Sequence, residues 1–179
     1  AAALIAMNRL FSLKLKQKQL MERGVKIGAD VPYCILKGTA LSEGIGEVLT
    51  RLPTPPFFHI LIVKPNVHVS TKFVYNNLRL HSDADHPDID GMIEALKNKS
   101  REKLCTTMGN ILESVTIREY PVIDVLKQTM LQNGAKGALM SGSGPTVFGL
   151  FENIGQARIA YAKCKQLNKN NFVYLTNFI

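Results

Sequence analysis

Ala138-Leu-Met-Ser-Gly-Ser-Gly-Pro-Thr-Val-Phe-Gly-Leu-Phe151 sets two short apolar runs, Ala138 to Ser141 and Thr146 to Phe151, on either side of Gly142-Ser-Gly-Pro145. Glycine admits backbone conformations that other residues avoid and proline presets a turn, so the pattern predicts a hairpin between two core strands. Upstream, Phe57 to Val63 is a further apolar run ended by Lys64-Pro65, and its length and Ile/Val content fit a buried strand rather than a helix. Downstream, residues 152 to 168 read as a helix with apolar Ile154, Ala157, Ile159, Ala160 and Ala162, followed by a terminal strand over Phe172 to Leu175. Between these, Ser70-Thr71 predicts the cap of a short helix carrying Phe73, Val74 and Tyr75, and further helices are expected at 90–97, 100–114 and 119–133, the last stopped by Gly134. Strand, helices, hairpin, helix and strand in this order predict an α+β sandwich, with helices covering one face of a mostly antiparallel sheet.

The N-terminal third is patterned differently. Residues 1–12 carry Leu4, Ile5, Leu10 and Phe11 among alanines and predict a helix, and residues 16–24 predict a second one ended by Gly24. A turn over Gly28 to Pro32 is expected next, then three short strands bent at glycine: Tyr33 to Leu36, Thr39 to Leu41 and Val48 to Leu52. Pro53-Thr-Pro-Pro56 is the best candidate for a domain boundary, with residues 1–50 reading as the tail of one domain and 51–179 as a second.

Composition bounds the function classes. The chain has 179 residues, 46% of them hydrophobic and 20% charged, enough to bury a core and too polar for a membrane protein. Its longest apolar runs fall well short of the roughly 20 residues a spanning helix needs. Cys34, Cys105 and Cys164 are odd in number and widely spaced, which supports neither a disulfide framework nor a zinc site and points to a reducing, cytoplasmic compartment. A formal charge of +8 favours anionic partners. Its densest basic stretch, Lys14 to Lys18 with Arg23 and Lys26, reads as a solvated helix face, and without interleaved arginine and aromatic residues nucleic acid is not expected as a partner.

Chemistry-bearing candidates are few. Ile27-Gly-Ala-Asp-Val-Pro-Tyr-Cys-Ile-Leu-Lys-Gly-Thr-Ala-Leu-Ser-Glu-Gly-Ile-Gly-Glu47 frames one carboxylate, Asp30, with small residues. Asp30 before Val31-Pro32 fits either a helix cap made by the side-chain oxygen or a carboxylate that reaches a bound substrate. Gly142-Ser-Gly-Pro-Thr146 has only part of a phosphate-loop spacing, and a tight hairpin explains it without any ligand. The acidic run from His81 to Gly91 fails a calcium-loop register begun at Asp83, because Pro87 falls at position 5 and Asp88 replaces the glycine at position 6; Asp88 or Asp90 capping the next helix accounts for it better, and no metal site is assigned. His59 and His68 have no nucleophile at a recognisable spacing and receive no chemistry.

The Asp30 frame, continued through Gly38-Thr-Ala40 and Glu43-Gly-Ile-Gly-Glu47, closely resembles the catalytic segment of the 4-diphosphocytidyl-2-C-methyl-D-erythritol kinases of the GHMP kinase superfamily, and Gly142-Ser-Gly-Pro-Thr-Val-Phe148 resembles the superfamily's third motif. The resemblance extends over essentially all 179 residues. It implies a GHMP-kinase-type C-terminal sandwich over 51–179 that binds substrate, preceded over 1–50 by the remnant of a ribosomal-protein-S5-like, ATP-binding N-terminal domain. It further implies transfer of the γ-phosphate of ATP, with magnesium, to the 2-hydroxyl of the cytidine-diphosphate-linked methylerythritol, a step in non-mevalonate isoprenoid precursor synthesis. In that reading Asp30 takes up or orients the attacking hydroxyl's proton, and Thr71 and Tyr75 contact the cytidine diphosphate part. Gly142, Ser143 and Gly144 support the nucleotide phosphates. The lysine that partners the aspartate and the glycine-serine ATP loop of the family are expected upstream of Ala1, so residues 1–179 alone are expected to lack appreciable kinase activity. Another GHMP kinase, such as one for homoserine or mevalonate, and a non-catalytic nucleotide- or anion-binding module are the alternatives left open.

Overall fold

In the computed structural model, which describes residues 1–79 and 86–178, the apolar run after the prolines is the centre of a sheet. Asp83 and the rest of 81–85 lie outside the described residues, as does Leu80. Contacts along the chain divide it into two units, Ala1–Pro55 and Pro56–Ile179.

In the first unit, α1 (Ala2–Leu10) and α2 (Gln17–Gly24) are followed by α3 (Val31–Leu36) and by the hairpin β1 (Ala40–Glu43) and β2 (Val48–Arg51), paired antiparallel with Ala40 opposite Arg51. The expected strand over Tyr33 to Leu36 is therefore helical. Pro32 lies in the first turn of α3, where its fixed φ suits a helix and its missing N–H is not needed. Packing completes the preference. Val31 and Ile35, four residues apart and so on one helical face, close on Gly24, where an added Cβ would stand 2.8 Å from Val31 Cγ1 and 3.2 Å from Ile35 Cδ1. Such an approach needs glycine on α2, and it outweighs the weak strand propensity of a six-residue segment.

The second unit is built on β3 (His59–Lys64). It continues with α4 (Thr71–Asn77), α5 (Ile89–Lys97), α6 (Arg101–Thr107), α7 (Glu113–Glu119), α8 (Val122–Gln132), β4 (Gly137–Met140), β5 (Val147–Phe151), α9 (Ile154–Leu167) and β6 (Phe172–Asn177). The four strands form one antiparallel sheet in the order β4-β5-β3-β6, with Ile62 of β3 opposite Phe148 on one side and Tyr174 on the other. Antiparallel pairing lets β4 and β5 join through a tight turn, whereas the central position of β3 follows only from long-range closure. The α+β arrangement agrees with the expectation from the element order.

Two of the expected helices are cut differently. The segment expected as one helix over 100–114 stops at Thr107, and α7 begins only at Glu113; Gly109, a poor helix residue, sits in the gap. The helix expected at 119–133 starts at Val122, because Pro121 lacks an N–H and begins a new helix instead of continuing an old one.

The largest apolar cluster lies on one face of the sheet. Leu61, Val63, Val147, Phe151 and Val173 meet Ile123, Leu126 and Met130 of α8 and Ala157, Ala160 and Cys164 of α9. On α9 the buried positions are these small residues, while Ile154 and Ile159 face outward. Small side chains let a helix approach the sheet closely, which apolar periodicity alone does not distinguish from a face of large residues.

Candidate functional site

The hairpin turn is where the second unit gathers polar side chains. Ser141 N–H donates to Thr146 O at 2.8 Å and Gly144 N–H to Ser141 O at 3.0 Å, closing the turn. Gly142 and Gly144 have φ of +56° and +86°, in the left-handed region that glycine enters without cost. At Gly144 a side chain is also excluded by space: an added Cβ would lie 2.7 Å from Met140 Sδ and 3.3 Å from Thr116 Cγ2. At Gly142 it would meet nothing within 4 Å, so this residue faces open space.

Thr71, at the start of α4, reaches this turn from 72 positions away in the chain: its hydroxyl oxygen is 2.9 Å from that of Ser143. Ser70 caps the helix as expected, its hydroxyl accepting from Phe73 N–H at 3.3 Å, and this fixes where Thr71 stands. Tyr75 follows Thr71 by four residues, one turn along the same helix, and is 59% exposed. The structure thus brings Thr71 and Ser143 into contact, keeps Tyr75 on the face of the same helix, and leaves the Tyr75 ring accessible for stacking.

Three residues that sequence reasoning passed over hold the turn from behind. Asn110 donates through Nδ2 to Met140 O at 2.9 Å and to Gly142 O at 2.8 Å, while its Oδ1 accepts from Leu112 N–H at 3.0 Å. Glu113 accepts from Met140 N–H at 2.8 Å through Oε1 and pairs with Lys127 Nζ at 2.5 Å through Oε2. Thr116, fully buried, places its hydroxyl 3.3 Å from Ser143 O and 3.1 Å from Leu112 O. A signal existed in Asn110-Ile-Leu-Glu113: a cap-type residue followed three positions later by glutamate marks a helix start, and Gly109 just before it breaks the preceding helix.

Asp30 belongs to the first unit, at the N-cap position of α3. Its side chain makes no capping hydrogen bond, so the cap reading of this residue does not hold. Two physical reasons combine. A capping side chain needs an extended backbone, and Asp30 is helical at φ −80°, ψ −13°. One of the two N–H groups such a cap would serve is also missing, because Pro32 occupies the second helical position. The carboxylate is exposed, and only the backbone carbonyl is engaged, by Cys34 N–H at 3.1 Å.

The helix behind Asp30 is tied down at its far end. Arg51 of β2 donates to Leu36 O at 2.9 Å and Lys37 O at 3.3 Å, Gln17 of α2 donates to Ile35 O at 3.0 Å, and Tyr33 OH donates to Gly38 O at 2.9 Å. The bonds to Ile35, Leu36 and Lys37 satisfy carbonyls that the end of a six-residue helix leaves open, and that to Gly38 fixes the chain just past it.

Among the described residues no group of three His, Cys, Asp or Glu side chains is arranged to hold a metal ion. Asp88, in the acidic run, caps α5 by accepting from Gly91 N–H at 2.8 Å. Among the described residues no helix is long and apolar enough to cross a membrane.

Residues 92–170, which span α5 to α9 and include the supported turn, match the family described as GHMP kinases C terminal. A protein of Lachnospira eligens named 4-diphosphocytidyl-2-C-methyl-D-erythritol kinase is 61% identical over 151 residues, covering 84% of this chain and 52% of the relative. The chain belongs to the GHMP kinase family. A second relative of the same name, from Lachnoclostridium phytofermentans, is 52% identical over 178 residues, or 99% of this chain and 61% of the relative. The chain thus spans between about half and three fifths of the length of these GHMP kinases. Among solved structures, a 4-(cytidine 5'-diphospho)-2C-methyl-D-erythritol kinase superposes with a TM-score of 0.77 at 26% identity, over 98% of this chain and 62% of the other. A homoserine kinase from Cytophaga hutchinsonii superposes at 0.80 with 24% identity, covering 97% and 61%, and shows that the fold is shared across the family.

Proposed function

We propose that this chain is part of a GHMP kinase that transfers the γ-phosphate of ATP to the 2-hydroxyl of 4-diphosphocytidyl-2-C-methyl-D-erythritol, within non-mevalonate isoprenoid precursor synthesis. The observation that carries this reading is the 52% identity across 178 residues to a relative bearing that kinase's name. In this reading residues 1–50 are the tail of the ATP-binding N-terminal domain and 51–179 the substrate-binding domain.

Asp30 is the catalytic residue of the proposal. A carboxylate with no capping bond to satisfy is available to accept a hydroxyl proton or to orient that hydroxyl for in-line attack. Thr71 and Tyr75 hold the cytidine diphosphate portion, the phenol ring stacking on the base. Base stacking of this kind is worth about 1–3 kcal/mol. Gly142, Ser143 and Gly144 face the nucleotide phosphates, where a glycine backbone allows close approach and the serine hydroxyl donates a hydrogen bond. Magnesium enters with ATP as part of the co-substrate.

The test uses the whole protein with MgATP and a panel of alcohols that includes the diphosphocytidyl methylerythritol, homoserine and mevalonate, with ADP release as the readout. Selective turnover of the cytidine-linked substrate is expected. Asp30→Asn is expected to lower kcat by about 10²–10⁴, the range for loss of a general base. Near-normal turnover in that variant would remove Asp30 from the mechanism, and turnover of homoserine or mevalonate in preference would replace the substrate assignment.

A further inference from the structure

The Gly142–Gly144 turn combines an unusual backbone shape with little burial. Two of its three residues have positive φ, yet Ser141 and Gly142 are exposed and Ser143 and Gly144 only half-buried, so packing over the turn does little to hold it in one shape. Its own hydrogen bonds close the ring but leave the Gly142 and Ser143 N–H groups without an acceptor among the described residues. A turn of this kind with two free donors and two hydroxyls, those of Ser143 and Thr71, is useful to an anionic ligand only if its orientation is fixed beforehand.

The side-chain bonds to its backbone all come from one stretch, Asn110 to Thr116. The Asn110 amide has a single NH₂ group, and it spans the carbonyls on either side of Ser141, those of Met140 and Gly142. Its Oδ1 is held by Leu112 N–H, which sets the amide's orientation. Glu113 grips the N–H of Met140, the last residue of β4, and is itself anchored by Lys127, with both side chains of that pair about 85% covered. The Thr116 hydroxyl approaches Ser143 O. Each contact this stretch makes with the turn goes to the backbone of 140–143, and none uses the free N–H groups or the Ser143 hydroxyl. That division separates support from contact: the 110–116 stretch positions the turn and leaves its ligand-facing groups unspent.

We infer that Asn110 is a positioning residue that presets the Gly142–Gly144 turn for the nucleotide phosphates, with Glu113 as its companion through Met140. This rests on the reading above that Ser143 faces the nucleotide. Asn110 does not touch ligand; it acts through the Gly142 carbonyl.

The experiment compares Asn110→Asp with Ser143→Ala in the whole protein. Asn110→Asp preserves shape and the acceptor for Leu112 N–H but replaces the NH₂ donor with an oxygen facing two carbonyls; Asn110→Ser, which removes the donor without adding charge, is the companion variant should the aspartate prevent folding. Two readouts are taken, amide hydrogen exchange at Ser141 and Gly144, whose N–H groups are hydrogen-bonded within the turn, and the separate KM values for ATP and for the alcohol substrate. Faster exchange confined to the turn, with the ATP KM raised about tenfold and the alcohol KM unchanged, is expected, the size that loss of the two Asn110 hydrogen bonds to the turn would give. Unchanged exchange in both Asn110 variants overturns the inference. So does faster exchange with a normal ATP KM when Ser143→Ala does raise it, because the turn's geometry then has no bearing on nucleotide binding. A normal ATP KM in Ser143→Ala overturns the nucleotide reading of the turn itself, and the inference with it.

Discussion

At Asp30, Thr71 and Ser143 single atoms decide what the sequence pattern leaves open. A missing N–H at Pro32 and a helical backbone leave the Asp30 carboxylate uncommitted, and a contact of 2.9 Å makes a pair of Thr71 and Ser143. The cysteines behave in the opposite way, as groups withdrawn from chemistry. Burial pushes the thiols of Cys105 and Cys164 up to about 11; at Cys105 the nearby Glu152 carboxylate adds to the rise and Lys136 opposes it. Both are therefore poor nucleophiles at neutral pH. The folded chain holds these protons more tightly than the unfolded chain, whose thiols titrate near 9. Their contribution to stability is complete below about pH 9 and is lost as pH rises through about 11. Urea denaturation midpoints are expected to fall over that window, and less steeply in Cys164→Ala; a midpoint in the wild-type chain that does not fall between pH 9 and 11 would contradict this.

Single elements show how short local signals compete with packing. At α9, Asn153 has the extended backbone of a good cap, and its Oδ1 accepts from Gly155 N–H at 2.7 Å and Gln156 N–H at 3.2 Å. Asn153→Ala is expected to destabilise the chain by about 1 kcal/mol, and Asn153→Asp to retain most of that. Chemical denaturation of the two variants side by side checks it, with equal losses in both pointing away from the cap. Strands β1 to β6 and helices α1, α2, α4, α5 and α9 were legible from periodicity and end signals, to within two residues at most ends. The failures, α3 and the gap between α6 and α7, are short segments. In so short a segment propensities do not by themselves separate helix from strand, and the packing of Val31 and Ile35 on Gly24 decides.

For the molecule as a whole, the first unit ends at Pro55, and no helix or strand is formed between Arg51 and His59. Phe57 in that stretch is 54% exposed, a suitable site for thermolysin, which cleaves before large apolar residues. Limited digestion is expected to cut first at the Pro56–Phe57 bond or its neighbours, and mass spectrometry of the products tests this; first cuts within β3 or β5 would show that the sheet is not the stable part of the chain. Within the second unit the core of α8, α9 and the sheet face was only half legible. The sequence marks the runs Phe57 to Val63 and Thr146 to Phe151 as core strands, but on α9 it offers Ile154, Ala157, Ile159, Ala160 and Ala162 alike, of which the structure buries Ala157 and Ala160, together with Cys164, and exposes Ile154 and Ile159.

By itself the sequence determined the α+β class, the antiparallel hairpin through Gly142-Ser-Gly-Pro145, and the two motif segments that link the chain to the GHMP kinases. These are written in period, turn chemistry and local residue order, which act between near neighbours in the chain. Only the tertiary structure decided that Tyr33 to Leu36 is helical and that Asn110, Glu113, Thr116 and Thr71 converge on one turn. The helix depends on packing against Gly24 from 7 and 11 positions away and the turn on contacts 27 to 72 positions apart, and the energies of both arise only once the elements have been brought together.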